Sequence, residues 1–251
     1  CDAVLVVGAN LRKEQPLLTA RLRRSAKNGM ALSVIAAAKE ELHMPLLTQE
    51  SLHPDQWAAH LESLYTHPDN AVSGSLRNAQ TAAIILGADV QNHPDYAAIY
   101  AAAQRLAAVS NATLGVLPQA ANSVGADLIG FAPQAGSADF NEMLAKPKKA
   151  VLLLNVEPEI DTRAGAQAIA ALKQAQSVMA FTAFESETLL DVCDILLPIA
   201  PFTETSGTLV NMEGRVQSFH GVVKGYGDSR PLWKVLRVLG NVLSLIHISE
   251  P

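Results

Sequence analysis

Short apolar runs alternate with stretches of helical period along this chain. Residues 3–7, 82–86, 150–154, 178–181 and 195–197 are apolar runs of strand length, 32–36 is broken only by Ser33, and 113–117 also reads as a strand; most are ended by Gly, Asn or Pro. Between them the spacing predicts helices. Pro16 opens one with Leu18, Leu22 and Ala26 on a single face and Asn28-Gly29 as its stop. A second follows 53–55 with Trp57, Leu61, Leu64 and Tyr65 facing inward, and a third follows Pro94 with Tyr96, Ile99, Tyr100, Ala103 and Leu106. Asp161 or Thr162 is expected to cap a helix carrying Ala168, Ile169 and Leu172. Shorter helices are expected at 139–144 and 186–192, and Trp233, Leu236, Val238 and Leu239 begin a last one. The polar stretch 70–74 reads as a connection, and 120–130 as a loop with one short helix.

Strands that lack polar alternation are buried on both faces, as in parallel sheets sandwiched by helices. The expected fold is therefore α/β and doubly wound. It has mainly parallel sheets with helices on both faces, in two βα-rich lobes, 1–135 and 136–243. A loose repeat runs through it: Val7-Gly-Ala-Asn10, Leu86-Gly-Ala-Asp89 and Leu154-Asn-Val-Glu157 each end an apolar strand ahead of a proline and a helix. Ligands of such sheets bind beyond the carboxyl ends of the strands, where these turns lie.

The composition, 49% hydrophobic, 17% charged and 5% aromatic, is that of a folded domain and too apolar for disorder. A net charge of −5 argues against nucleic acid as a partner. No apolar run reaches the ~18 residues of a membrane span. The two cysteines, Cys1 and Cys193, form no C-x-x-C pair, and an iron–sulfur cluster takes about four thiolates, so this stretch cannot build a cluster by itself. The opening at Cys1 reads as a cut end. Residues 244–251 read as a non-native, vector-like tail, with the natural sequence departing near Leu243.

Several motifs invite chemistry and have a plainer origin. His-Pro-Asp occurs at 53–55, 67–69 and 93–95, where proline and aspartate suit the first turn of a helix. His53, His60 and His67 are seven apart, a helical rise of about 10 Å. With zinc–nitrogen bonds of about 2 Å, one ion cannot take all three. Arg12, Lys13, Arg21, Arg23, Arg24 and Lys27 form the densest basic patch. Arg12 and Lys13 stand where a pyrophosphate could bind, although a solvated helix face is the commoner cause and a subunit contact the middle case. Glu157, Glu159 and Asp161 lie in loop sequence with no matched general acid. Gly225-Tyr-Gly227 lacks the third glycine of a dinucleotide fingerprint, and no G-x-S-x-G or Walker sequence occurs.

The stretch CDILLP (193–198), TETSGTLVNMEGRVQ (203–217) closely resembles a segment of the molybdopterin oxidoreductase family, within it the large iron–sulfur (75-kDa) subunits of NADH:quinone oxidoreductase, respiratory complex I. DAVLVVGANLRKEQPLLTARLR, QAANSVGADLIGFAP and KAVLLLNVEPEID extend the likeness across 2–243. The family favours proline where Leu11 stands and often glycine at the place of Asn155. In family members that carry molybdopterin guanine dinucleotide, the strand-end loops cradle the cofactor. By resemblance, Gly8, Asn10, Gly87, Asp89, Asn155, Gly207, Asn211, Arg215 and Gln217 are vestigial pterin-cleft candidates, with no catalytic residue and no metal ligand here. For Arg215 the plainer expectation is a carboxylate partner that locks the loop.

The resemblance further implies iron–sulfur clusters in an amino-terminal region not present in these residues, no molybdopterin, and other peripheral-arm subunits of complex I as partners. The intact subunit would carry electrons from NADH toward quinone, at the cytoplasmic face of a bacterial inner membrane, with this region a structural scaffold. The alternative is the cofactor-binding part of a true molybdopterin-dependent oxidoreductase.

Overall fold

The computed structural model describes residues 1–243, and the expected non-native tail at 244–251 lies outside them. The chain divides into two units at Val124/Gly125, upstream of the expected boundary at 135/136.

In the first unit the apolar runs form β1 (Ala3–Val7), β2 (Ala31–Ala36), β4 (Ala82–Leu86) and β5 (Thr113–Val116), with β3 (Thr48–Ser51) at the edge. All pairs are parallel and the order is β3-β2-β1-β4-β5. The helices are α1 (Leu11–Glu14), α2 (Pro16–Lys27), α3 (Trp57–Thr66), α4 (Ala71–Asn78), α5 (Ala88–Gln91) and α6 (Tyr96–Ser110). Alternate residues of β1 serve opposite cores. Val4 and Val6 pack with Leu11, Leu22, Ala26, Leu32 and Val34 on the α2 side. Leu5 and Val7 pack with Trp57, Leu61, Leu76, Ile99 and Leu106 on the α3–α4–α6 side. Each fully buried aliphatic side chain contributes roughly 1.5–3 kcal/mol relative to exposure. Two covered faces explain why the strands carry no polar alternation.

Two elements depart from the sequence reading. The connection expected at 70–74 is the start of α4: Asn70 caps it, its Oδ1 accepting from Val72 N at 2.8 Å, and Val72, Ser73 and Leu76 are buried. β3, Thr-Gln-Glu-Ser, has no apolar signal, and pairing with β2 alone makes it a strand.

The second unit, from Gly125 onward, contains α7 (Ser123–Leu128, which begins just before the division), α8 (Phe140–Ala145), β6 (Ala150–Leu154), α9 (Pro158–Asp161), α10 (Gly165–Leu172), β7 (Ser177–Thr182), α11 (Glu187–Val192) and β8 (Ile195–Pro198). There follow β9 (Gly207–Val210), β10 (Val216–Phe219) and α12 (Leu232–Val242). β6, β7 and β8 form a parallel sheet in that order, and β9–β10 is an antiparallel hairpin. Neither Asp161 nor Thr162 caps α10. Asp161 Oδ2 accepts from Glu157 N at 2.7 Å, closing the separate turn α9, and α10 starts at Gly165 without a side-chain cap. The burial expected on both faces of β6 is found on one only: Val151 and Leu153 pack with Leu172, Val178 and Val192, while Leu152 is 54% exposed.

Candidate functional site

The chain reverses its direction of travel across the first sheet between β1 and β4, so the crevice expected of this topology lies beyond Val7 and Leu86. Gly8 and Gly87 stand there. Gly8 has a left-handed φ of +60°, and a Cβ on it would lie 2.7 Å from Val90 Cγ2 and 2.9 Å from Trp57 Cζ3. A Cβ on Gly87 would collide with the Gly8 carbonyl oxygen and with Ala9. Their backbone donors are engaged: Gly8 N with Ile35 O at 2.8 Å, Gly87 N with Val7 O at 2.8 Å, and Asp89 N with Gly8 O at 3.0 Å. Both glycines therefore serve close packing of the two loops on each other and on Trp57, which is wholly buried.

Asn10 caps α1, its Oδ1 accepting from Lys13 N at 3.4 Å, while its own N–H donates to Glu14 Oε2 at 3.3 Å. Partial burial raises the Glu14 pKa, and the Asp89 and Glu40 carboxylates add to the rise, against the Asn10 hydrogen bond. Asp89 itself is exposed in the first turn of α5. Of the two basic residues considered for a pyrophosphate, Arg12 is engaged within the protein. Arg12 Nη1 donates to Glu41 O at 2.7 Å and Arg23 Nε to His43 O at 3.0 Å, so both pin the loop between β2 and β3.

In the second unit Asn155 ends β6 with φ +54°, a left-handed position that asparagine tolerates, and donates its N–H to Phe181 O at 2.7 Å. The other four candidates belong to the hairpin. Gly207 lies under the Phe219 ring, where a Cβ would stand 2.6 Å from Cζ. Asn211 Oδ1 accepts from Glu213 N at 3.0 Å and Arg215 N at 2.9 Å, and Asn211 N donates to Arg215 O at 3.1 Å. Asn211 thus makes the lock expected of Arg215, whose contribution to the turn is its backbone. Gln217 is exposed, opposite Leu209. An open groove of about 540 Å³ nearby is lined by Glu204, His220, Lys224, Arg230 and Lys234, among others, and by none of the four hairpin candidates.

The histidines do not converge. His60 Nε2 meets Glu50 at 3.0 Å, His67 Nδ1 lies 3.2 Å from Ser63 O, and His53 and His93 both reach Asp55, at 3.4 and 3.5 Å. Among the described residues no group of three His, Cys, Asp or Glu could hold a metal ion. The Asp55 contacts tie the first and third His-Pro-Asp triplets to each other, a link between loops that linear spacing gives no means of seeing. Glu159 Oε1 accepts from Ser186 Oγ at 3.1 Å and Asp161 Oδ2 accepts from Glu157 N in its own turn, so two of the three acidic side chains make structural contacts.

The fold family implies a pterin dinucleotide, and the first unit's carboxyl edge can be tested against one. A Cβ at Gly8 or Gly87 would meet Trp57, Val90 or Ala9, the N–H groups of Gly8, Gly87 and Asp89 are bonded, and the Glu14, Glu40 and Asp89 carboxylates lie near one another, with Arg12 and Lys13 on the same helix as Glu14. A pyrophosphate needs free donors, and the N–H groups of Gly8, Gly87 and Asp89 are not free to hold one.

An open, all-parallel α/β sheet with glycine-tipped strand ends defines a nucleotide-fold class of protein. The chain belongs to the molybdopterin oxidoreductase family, whose sequence model matches residues 1–242. It is 28% identical to the mitochondrial NADH-ubiquinone oxidoreductase 78 kDa subunit of Neurospora crassa over 97% of this chain and 31% of that protein. It is 24% identical to the NADH-ubiquinone oxidoreductase 75 kDa subunit of Reclinomonas americana, over 97% of this chain and 34% of that protein. The chain thus spans about a third of the length of these relatives. Among solved structures, acetylene hydratase from Pelobacter acetylenicus matches with a TM-score of 0.74 at 13% identity, over 97% of this chain and 47% of the other. The formyltransferase/hydrolase complex of Methylorubrum extorquens matches with a TM-score of 0.66 at 14% identity, over 99% and 76%. Both share the fold.

Proposed function

We propose that this chain is part of the large iron–sulfur subunit of a respiratory NADH:quinone oxidoreductase, in which it is an α/β scaffold and docking region rather than a site of reaction. One observation carries the reading: the likeness to two NADH-ubiquinone oxidoreductase subunits runs along 97% of the chain. Two further features support it. Cys1 and Cys193 cannot supply the thiolates of a cluster, and the strand-end glycines of the first unit are occupied by neighbouring protein. Electrons would pass from NADH toward quinone through iron–sulfur clusters in residues beyond this span, with no pterin held. The partners would be the other peripheral-arm subunits, at the cytoplasmic face of a bacterial inner membrane. No helix among the described residues is long and apolar enough to cross a membrane, so attachment would run through those partners.

The test is to purify the native protein carrying this sequence with whatever accompanies it, and to measure iron, molybdenum and pterin. The reading expects abundant iron, co-purifying NADH dehydrogenase subunits and molybdenum well below one per chain. Molybdenum and pterin near one equivalent would instead favour a molybdopterin-dependent oxidoreductase, the second reading that family membership permits.

A further inference from the structure

The β6–β7–β8 sheet is dressed on one side. Ile169 and Leu172 of α10 and Val192 of α11 share a core with Val151, Leu153 and Val178. On the opposite face the register aligns Leu152, Met179 and Ile195 in one row and Leu154, Phe181 and Leu197 in the next. Phe181 is buried at the end of its strand, but Leu152, Ile195 and Leu154 are 54, 44 and 38% exposed. Parallel sheets are covered on both faces, so a cover is missing from this one.

The topology indicates what the cover is. Crossovers are right-handed, so two steps in the same direction, β6 to β7 and β7 to β8, place α10 and α11 on one face. Covering the other face takes a step in the opposite direction, a crossover that returns across the sheet to a strand beyond β6. The first unit shows the completed arrangement. There the chain steps from β1 to β2 through α2, then returns across the sheet to β4, and α3, α4 and α6 fill the second face. In the second unit the β8 edge is continued by the Ile199–Arg230 bridge, whereas among the described residues no strand lies beyond β6. The relatives, of which this chain spans 31 and 34%, have length to supply one.

We infer that in the whole protein a further βα unit of the same polypeptide, an apolar strand with an amphipathic helix, joins the free edge of β6 and covers Leu152, Leu154 and Ile195. This rests on the reading that the chain is part of a longer subunit. The test uses a Cys1→Ser, Cys193→Ala background in which Leu152→Cys, Ile195→Cys or, as an exposed control on α10, Lys173→Cys is labelled with a maleimide under native conditions. Labelling is followed in the 251-residue chain and in the full product of the gene, each purified alone, with circular dichroism confirming the fold. In the 251-residue chain the two sheet positions should react within about threefold of the control. In the full product they should slow by more than about tenfold while the control is unchanged. Ile195→Cys decides the matter if Leu152→Cys does not fold. Equal labelling in both proteins, protection already in the 251-residue chain through self-association or its own first unit, or protection only after partner subunits are added would each overturn the inference. A gene encoding nothing beyond this span would sink the longer-subunit reading first, before any labelling.

Discussion

Several carboxylates in this protein act as acceptors for backbone N–H groups at the ends of elements. Asp2 Oδ2 accepts from Thr81 N and Oγ1, both at 2.9 Å, which joins the starts of β1 and β4 and holds the Asp2 carboxyl below its usual range. Asp194 Oδ2 accepts from Val178 N at 2.8 Å, while Glu14 and Asp161 close the turns begun by Asn10 and Glu157. Glu14 differs in that burial, reinforced by Asp89 and Glu40, raises its pKa. A raised carboxyl pKa means that the folded state holds the proton more tightly than the unfolded chain. Its ionisation therefore weighs against folding above the ordinary value of 4.5 and costs nothing well below it. Glu14→Gln should raise the melting temperature at pH 7 and leave it unchanged near pH ~3, as read by circular dichroism. An equal shift at both pH values would assign the effect to packing. Residue types alone did not separate these roles. Glu159 and Asp161 are two residues apart in sequence, yet one accepts from the Ser186 hydroxyl and the other from the Glu157 backbone N–H.

At the scale of elements, the repeat read from three strand ends is a structural unit: strand, turn, one four-residue helix, then a longer helix. It recurs as β1–α1–α2, β4–α5–α6 and β6–α9–α10. The hairpin β9–β10 depends on one side chain, since Asn211 Oδ1 satisfies two of the turn's N–H groups. Asn211→Ala should cost about 1–2 kcal/mol locally, with two donors losing their acceptor. Hydrogen exchange should quicken at Glu213 and Arg215 while the amides of β6–β7–β8 hold their protection. Loss of protection throughout the second unit would show that the hairpin is no separate element. Arg215→Ala, which keeps the backbone bonds, should leave the exchange of the turn as it was.

For the whole molecule, each unit carries one tryptophan in contrasting surroundings: Trp57 is fully buried against Gly8 and His93, and Trp233 is 54% exposed. A Trp233→Phe variant should emit at short wavelength and shift strongly to the red as denaturant unfolds the first unit. A Trp57→Phe variant should already emit near the solvated limit. Matching native spectra from the two variants would contradict the burial assigned to Trp57. Replacing Trp57 by alanine should cost roughly 3–5 kcal/mol, because the ring is wholly buried in the core beneath Gly8 and its loss leaves a cavity.

The chain alone determined the class of fold. Uninterrupted apolar strands, amphipathic helices with Leu22, Leu61 and Ile99 facing inward, and Gly, Asn or Asp at strand ends are local signals, set by propensity and period, and they survive folding intact. The family likeness was carried by the same strand ends and by the 203–217 string. Tertiary structure decided everything that depended on a neighbour. β3 is a strand only because β2 offers it hydrogen bonds, and α4 is a helix because Val72 and Leu76 find the first core. Leu152 and Leu153 are identical in the sequence, yet one faces a covered side and the other an open one. Gly8 and Gly87 signalled a place of close approach, and the neighbours that come close, Trp57 at Gly8 and the Gly8–Ala9 loop at Gly87, are brought there by the fold. Propensity is a property of a residue and its chain neighbours, whereas burial and partnership belong to the space around it.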